Sequence, residues 1–183
     1  MGEPIIEWLN QQQDNMVELL RDLVDIDSNS FDKAGVDRVG ALLIAFFDDN
    51  EIPHETIPLE EYGDAIRAVV SGGNGNQPIL LCGHRDTVFP TGEVEKRPFS
   101  IADGKAFGPG VADMKPGLVI NAFILAAFHK FGGHPNPLVG LFTGDEEIGS
   151  PASRDVITAE AKKARLAFNS EPSRPSGNIV TRR

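Results

Sequence analysis

Short apolar runs of β type alternate with longer segments of helical periodicity, and that alternation restricts the fold more than anything else in the chain. Residues 65–71 and 79–82 read as strands, parted by the turn-forming GGNGNQP, whose Gly and Asn accept left-handed backbone angles. A helix is predicted over 118–131, a strand over 138–142, a helix over 152–164 and a strand over 166–168. Two helices precede them. Residues 4–25 place Ile5, Trp8, Leu9, Met16, Leu19, Leu20 and Leu23 at helical spacing, and 33–49 do so with Val36, Val39, Leu42, Leu43, Phe46 and Phe47. These stripes read as core faces. Strands alternating with helices predict an α/β fold, a largely parallel sheet sandwiched by helices.

Composition narrows the partners. With 183 residues and 40% hydrophobic content the chain can bury the core of one domain. A formal net charge of -10 argues against nucleic acid, which needs clustered Lys and Arg, and leaves room for cations. Glu3 and Glu7 stand where an export signal would carry positive charge, and no apolar run has the length of a membrane span. Gly2 opens no myristoylation motif, because Ile6 occupies the position that needs Ser or Thr. The expectation is a soluble cytoplasmic protein without a membrane partner. Cys82, the one cysteine, lies in an apolar run and reads as a small buried hydrophobe. Neither a disulfide framework nor a thiolate zinc site is available. GPGVAD lacks the third glycine of a dinucleotide fingerprint, and no phosphate-binding G-x-x-x-x-G-K-[ST] loop occurs.

Polar residues gather where strands end. His84 and Asp86 follow the run 79–82; Asp145, Glu146 and Glu147 follow 138–142; Glu171 follows 166–168; and Asp113 precedes the third helix. In an open α/β sheet, ligands sit beyond the carboxyl ends of the strands. Each cluster alone has an ordinary reading as a turn, a helix start or a solvated loop. Together, one imidazole and up to six carboxylates would repel one another unless protons or cations neutralised them. Imidazole and carboxylate without thiolate is the donor set of a catalytic zinc site. The neighbours Glu146 and Glu147 point in different directions, so one can bind metal while the other acts as a base. Asp86, two residues beyond His84, can accept the free ring N–H of that histidine and fix its tautomer. His54, His129 and His134 read as surface or packing residues.

In this order, GHRDTVFP, GPGVADMKPG, FTGDEEIGS and FNSEP resemble the motifs of the co-catalytic zinc aminoacylase and carboxypeptidase family. That family includes glutamate carboxypeptidase, acetylornithine deacetylase and succinyl-diaminopimelate desuccinylase. The resemblance implies a zinc-peptidase-like catalytic domain. His84, Asp113 and Glu171 would hold one zinc, with Asp113 bridging to a second that Glu147 also binds; Glu146 would be the general base and Asp86 the partner that orients His84. The resemblance also implies a cis peptide bond between Asp113 and Met114. The expected cofactor is two zinc ions per complete site, with cobalt or manganese also accepted by such ligands.

The implied reaction is amide hydrolysis that releases a C-terminal amino acid from a peptide, as in the glutamate carboxypeptidases. Cleavage of N-acyl amino acids is the alternative within the enzyme class, and a non-catalytic metal-binding or interaction module is the alternative outside it. Family members are about twice this length. Residues 1–183 are therefore expected to form the N-terminal part of an incomplete catalytic domain. The lid and dimerisation domain, through which full-length members often pair, would be absent, as would the rest of the catalytic domain. No histidine follows His134, so a late histidine of the second zinc site is missing, and the chain alone is expected to be inactive.

Overall fold

The computed structural model describes residues 2–73 and 76–173. The N-terminal helical segment divides into α1 (Gly2–Asn10) and α2 (Gln13–Val24), where one helix was expected. The N–H groups of Gln11 and Gln12 close back onto Trp8 and Leu9, three residues earlier, which tightens and ends α1. Gln12 then opens α2, its side chain accepting from Asn15. Neither residue is a helix breaker, so composition gave no sign of the division. Helix α3 (Lys33–Asp49) has the expected bounds, and Asp32 caps it by accepting the Gly35 N–H.

The strands are β1 (His54–Ile57), β2 (Ala65–Val70), β3 (Ile79–His84), β6 (Leu138–Thr143) and β7 (Leu166–Asn169), and they form one sheet in the order β1-β2-β6-β3-β7. Between β3 and β6 lie the short helix α4 (Glu93–Lys96), a separate hairpin of β4 (Ser100–Ala102) and β5 (Lys105–Phe107), and α5 (Lys115–Lys130). Helix α6 (Arg154–Lys163) joins β6 to β7.

The sheet is mixed. It is parallel across β6, β3 and β7, as the alternation predicted, and antiparallel across β1, β2 and β6. Connection length explains the difference. Helix-bearing crossovers carry the chain from β3 to β6 and from β6 to β7, whereas only residues 58–64 and 71–78 flank β2, too few for a parallel crossover. Strand β1 itself, HETI, has no counterpart among the runs read from sequence, because its exposed Glu55 and Thr56 break the apolar signal.

Both faces of the sheet are covered. Against one pack α2, α3 and α5, with Leu43, Phe47, Leu118, Leu125 and Phe142 fully buried, each contributing roughly 1.5–3 kcal/mol. Against the other lies α6, whose Val156 and Ile157 meet Leu80, Val139 and Leu141. Arg67 of β2 adds an ion pair to Glu160 of α6 at 3.1 Å. His54 packs on Phe47, and His134 stands edge-on to Phe128, so both serve packing as expected. Among the described residues no helix is long and apolar enough to cross a membrane.

Candidate metal centre

Strands β3 and β6 run parallel and in register, so the loops after His84 and Thr143 leave the sheet side by side. Arg85 binds these loops together. Its backbone N–H and its Nε both donate to the Thr143 carbonyl, its Nη1 donates to the Val36 carbonyl at 3.1 Å, and its Nη2 donates to the Asp64 carbonyl. Burial pulls this guanidinium down to about 10, with the charges of Asp37, Asp86 and Asp64 opposing.

His84 is 2% exposed and ends β3. Its Nδ1 lies 3.0 Å from the backbone oxygen of Asp86 and 3.3 Å from Asp86 Oδ1. The opposite nitrogen, Nε2, is buried and has no hydrogen-bond partner. Around it stand Asp113 Oδ1 at 3.3 Å, Glu171 Oε1 at 3.4 Å and Glu146 Oε2 at 3.6 Å. A buried ring nitrogen without a hydrogen bond, facing three carboxylates, is what a site for a divalent cation requires.

Two groups of three have ligand atoms all within 4.8 Å of one another: His84 with Glu146 and Glu171, and His84 with Asp113 and Glu147. Both depend on His84. They divide the acids otherwise than the sequence motifs suggest, since Glu146 falls in with His84 and Glu171. Asp145, grouped with these acids from sequence, is turned away. Its carboxylate accepts the N–H groups of Ala152 and Ser153 and the Ser153 hydroxyl, and so shapes the turn into α6.

The supporting contacts come from distant segments. Asp86, fully buried, accepts the Ser30 hydroxyl at 2.6 Å and the N–H groups of Glu146 and Glu147 at 3.2 and 3.1 Å. It therefore fixes the 3-10 turn Glu146–Ile148 as well as the ring of His84. Asp113 precedes α5 through a cis peptide bond to Met114. Met114 is buried beneath β3, its sulfur accepting the His84 N–H at 3.3 Å, while Asp113 stays half-exposed at the cluster. Next to it, the buried Lys115 donates to the carbonyls of Leu23 and Ile26 and holds the start of α5 against the end of α2. Burial lowers this ammonium to about 8, against the opposing charges of Asp27 and Asp25. Glu171 is positioned through Ser170, whose hydroxyl donates to Asn121 of α5 at 2.7 Å, and Asn121 in turn donates to the Cys82 carbonyl. Gly117 permits this approach, because a Cβ there would meet the Ser170 backbone oxygen.

Residues 80–182 match peptidase family M20/M25/M40. The chain belongs to this family. Among curated members it is 32% identical over 172 residues to carboxypeptidase G2 of Pseudomonas sp. (strain RS-16), covering 92% of this chain and 41% of that protein. It is also 32% identical over 166 residues to acetylornithine deacetylase of Salmonella arizonae, covering 86% and 43%. The chain thus spans about two fifths of the length of the curated M20 relatives it matches. The fold is shared with human carnosine dipeptidase 1, at a TM-score of 0.78, 18% identity, and 93% and 41% of the two chains. It is shared too with the M20 metallo-carboxypeptidase Sso-CP2 of Sulfolobus solfataricus, at a TM-score of 0.73, 19% identity, and 89% and 39%. Membership makes the chain part of a metallopeptidase or amidohydrolase family that uses divalent metal.

Electrostatics in this M20 site is dominated by crowding. Burial alone would lower His84, but the close carboxylates of Asp86, Glu171 and Glu146 outweigh it and push the imidazole up to about 11. Burial, joined by neighbouring carboxylates and opposed by His84, raises Asp113, Glu146 and Glu147. Without metal the His84 ring therefore keeps its proton at neutral pH, and a metal must displace it. The sign follows for His84: stability from its imidazolium is fully present below the ordinary value of 6.5 and is lost as pH rises towards 11. Zinc binding is expected to release protons and to tighten as pH rises from 6 to 8. Calorimetric titration in buffers of different ionisation enthalpy measures the release directly; a heat independent of buffer would contradict it.

Proposed function

We propose that the chain is the N-terminal part of the catalytic domain of a zinc-dependent amide hydrolase of the glutamate carboxypeptidase type. The observation that carries this reading is the buried, unbonded Nε2 of His84 facing Asp113, Glu146 and Glu171. His84, Asp113 and Glu171 would hold one zinc, and Asp113 and Glu147 a second. Bound there, zinc would supply Lewis acidity to polarise a scissile carbonyl and acidify the attacking water.

The rest of the chemistry falls to the chain. Glu146 is the general base. Burial, together with the charges of Glu171, Asp86 and Asp113 and against that of His84, raises its carboxyl towards the range where it can take a proton and return it to the leaving nitrogen. Its N–H is held by Asp86, so the base is fixed by the same residue that fixes the His84 ring. On this reading a lid and dimerisation domain, a remaining catalytic segment and a further ligand to the second zinc would come from outside these 183 residues, and the isolated chain is expected to be inactive.

Identity of 32% to acetylornithine deacetylase supports N-acyl amino acids as the second substrate class. The complete protein, assayed side by side on peptides and folate-like amides ending in glutamate and on acetylated and succinylated amino acids, separates the two; no hydrolysis of either class with metal bound would overturn the enzymatic reading. In that protein Glu146→Gln is expected to lower kcat by roughly 10²–10⁴-fold while zinc content stays unchanged. Loss of zinc in parallel would instead make Glu146 a ligand.

A further inference from the structure

Arg85 and Asp86 follow one another at the end of β3 and serve different parts of the molecule. Asp86 holds the N–H groups of Glu146 and Glu147 and faces the His84 ring. Arg85 extends instead between the sheet and α3, where it lies against Gly40 and is 1% exposed. Among the described residues its side-chain hydrogen bonds go to backbone carbonyls alone, those of Thr143, Val36 and Asp64. A charge buried in this way is costly, and an apolar side chain of similar volume commonly gives equal or greater stability. Packing therefore does not account for an arginine here; what its three carbonyls hold does.

Thr143 closes β6, and its carbonyl belongs to the peptide that leads through Gly144 towards Glu146. Arg85 fixes that peptide twice, through its backbone N–H at 2.9 Å and its Nε at 3.3 Å. Its Nη1 and Nη2 reach Val36 and Asp64, and the same two segments enclose Gly144, where a Cβ would meet the Val36 side chain and the Gly63 backbone. One planar guanidinium thus gathers the wall against which the chain turns towards Glu146. The wall is braced in turn, since the Asp64 carboxylate pairs with Lys33 and the Asp64 N–H donates to Asp37.

We propose that Arg85 is a positioning residue for the general base. Asp86 ties the Glu146–Ile148 turn to the His84 ring, Arg85 ties the peptide before that turn to α3, and the two together set where the Glu146 carboxylate stands. The proposal rests on the reading of Glu146 as the base. It goes beyond that reading by making turnover depend on a side chain that bonds to none of the clustered acids. Lysine keeps the charge of Arg85 but lacks the planar fork that spans three carbonyls.

In the complete protein Arg85→Lys is expected to lower kcat about 100-fold, the cost of a shift of about 1 Å at a reacting group, with KM and zinc content unchanged. Gly40→Ala probes the same point without replacing Arg85, because its methyl would stand where Nη1 lies, and kcat is expected to fall in the same way. Amide hydrogen exchange in the same proteins without metal gives a reading independent of turnover. In both variants the N–H groups of Glu146 and Glu147 are expected to exchange about tenfold faster, while those of Leu81 and Leu141 in the sheet keep their rates. Where one variant fails to fold, the other decides. Unchanged kcat, unchanged exchange in the turn, or acceleration spread evenly through the sheet overturns the proposal; failure of both variants to fold does so too, by making Arg85 a structural residue. Glu146→Gln measured alongside keeps the two readings apart. If it leaves kcat at the parent level, the reading of Glu146 as base falls; if it abolishes turnover while Arg85→Lys and Gly40→Ala do not lower it, the positioning role alone falls.

Discussion

Replacing His84 with alanine is expected to remove zinc from the chain, lowering affinity on the order of 100-fold or more, because groups that merely orient a ligand are already worth about 10–100-fold. Two features make the effect large. His84 is common to both groups of ligand atoms, so no arrangement of the remaining acids replaces it within either. Its Nε2 is also the one nitrogen donor of those groups, and what remains after substitution is a set of carboxylates with no imidazole among them. Elemental analysis after dialysis against metal-free buffer reads the result, with about one zinc per chain retained by the parent and none by the variant. Equal zinc in both would mean that the metal lies elsewhere and that the cluster is only an acidic sheet edge. Circular dichroism of the metal-free variant guards against mistaking unfolding for lost coordination.

The strand ends explain why His84 was visible in the sequence. A parallel sheet delivers its polar residues to one edge, and the apolar runs 79–82 and 138–142 mark where that edge lies. Asp86 was legible for a local reason, since two residues of extended chain bring it to the imidazole. The support of the site was not legible. Ser30 meets Asp86 across 56 positions of sequence, and Asn121 reaches Cys82 across 39. Nothing in SNSF or INAF distinguishes these residues from surface polar groups, because the packing that makes them partners belongs to the assembled layers. Arg85 and Lys115 defeat sequence reading more directly. Charged side chains are almost never fully buried unless paired, yet both lie at 1% exposure, satisfied by backbone carbonyls from segments that no local pattern links to them. Strand β1 escaped for want of apolar signal, whereas β2 was legible as a strand and only its antiparallel sense, set by short connections, was not.

Asp86→Ala is expected to destabilise the metal-free chain by about 3–5 kcal/mol, the cost of breaking a buried charge network by removing one partner. Three donors lose their acceptor at once, the Ser30 hydroxyl and the N–H groups of Glu146 and Glu147, and the raised imidazolium of His84 loses its nearest carboxylate. Zinc affinity is expected to fall as well, by about 10–100-fold, because the ring and the 3-10 turn both lose the group that orients them. Asp86→Asn tests the distinction between charge and shape. Its amide oxygen in the place of Oδ1 can still accept the Glu146 N–H, so stability is expected to recover in part, while its NH2 in the place of Oδ2 faces the Ser30 hydroxyl and the Glu147 N–H and offers the ring no negative charge, so zinc binding is expected to stay weak. Urea unfolding and zinc titration on the three proteins give both quantities. If Asp86→Ala binds zinc within threefold of the parent, the backbone oxygen of residue 86, 3.0 Å from Nδ1, suffices to orient the ring, and the carboxylate would serve only to join the loops after β3 and β6 to the segment around Ser30.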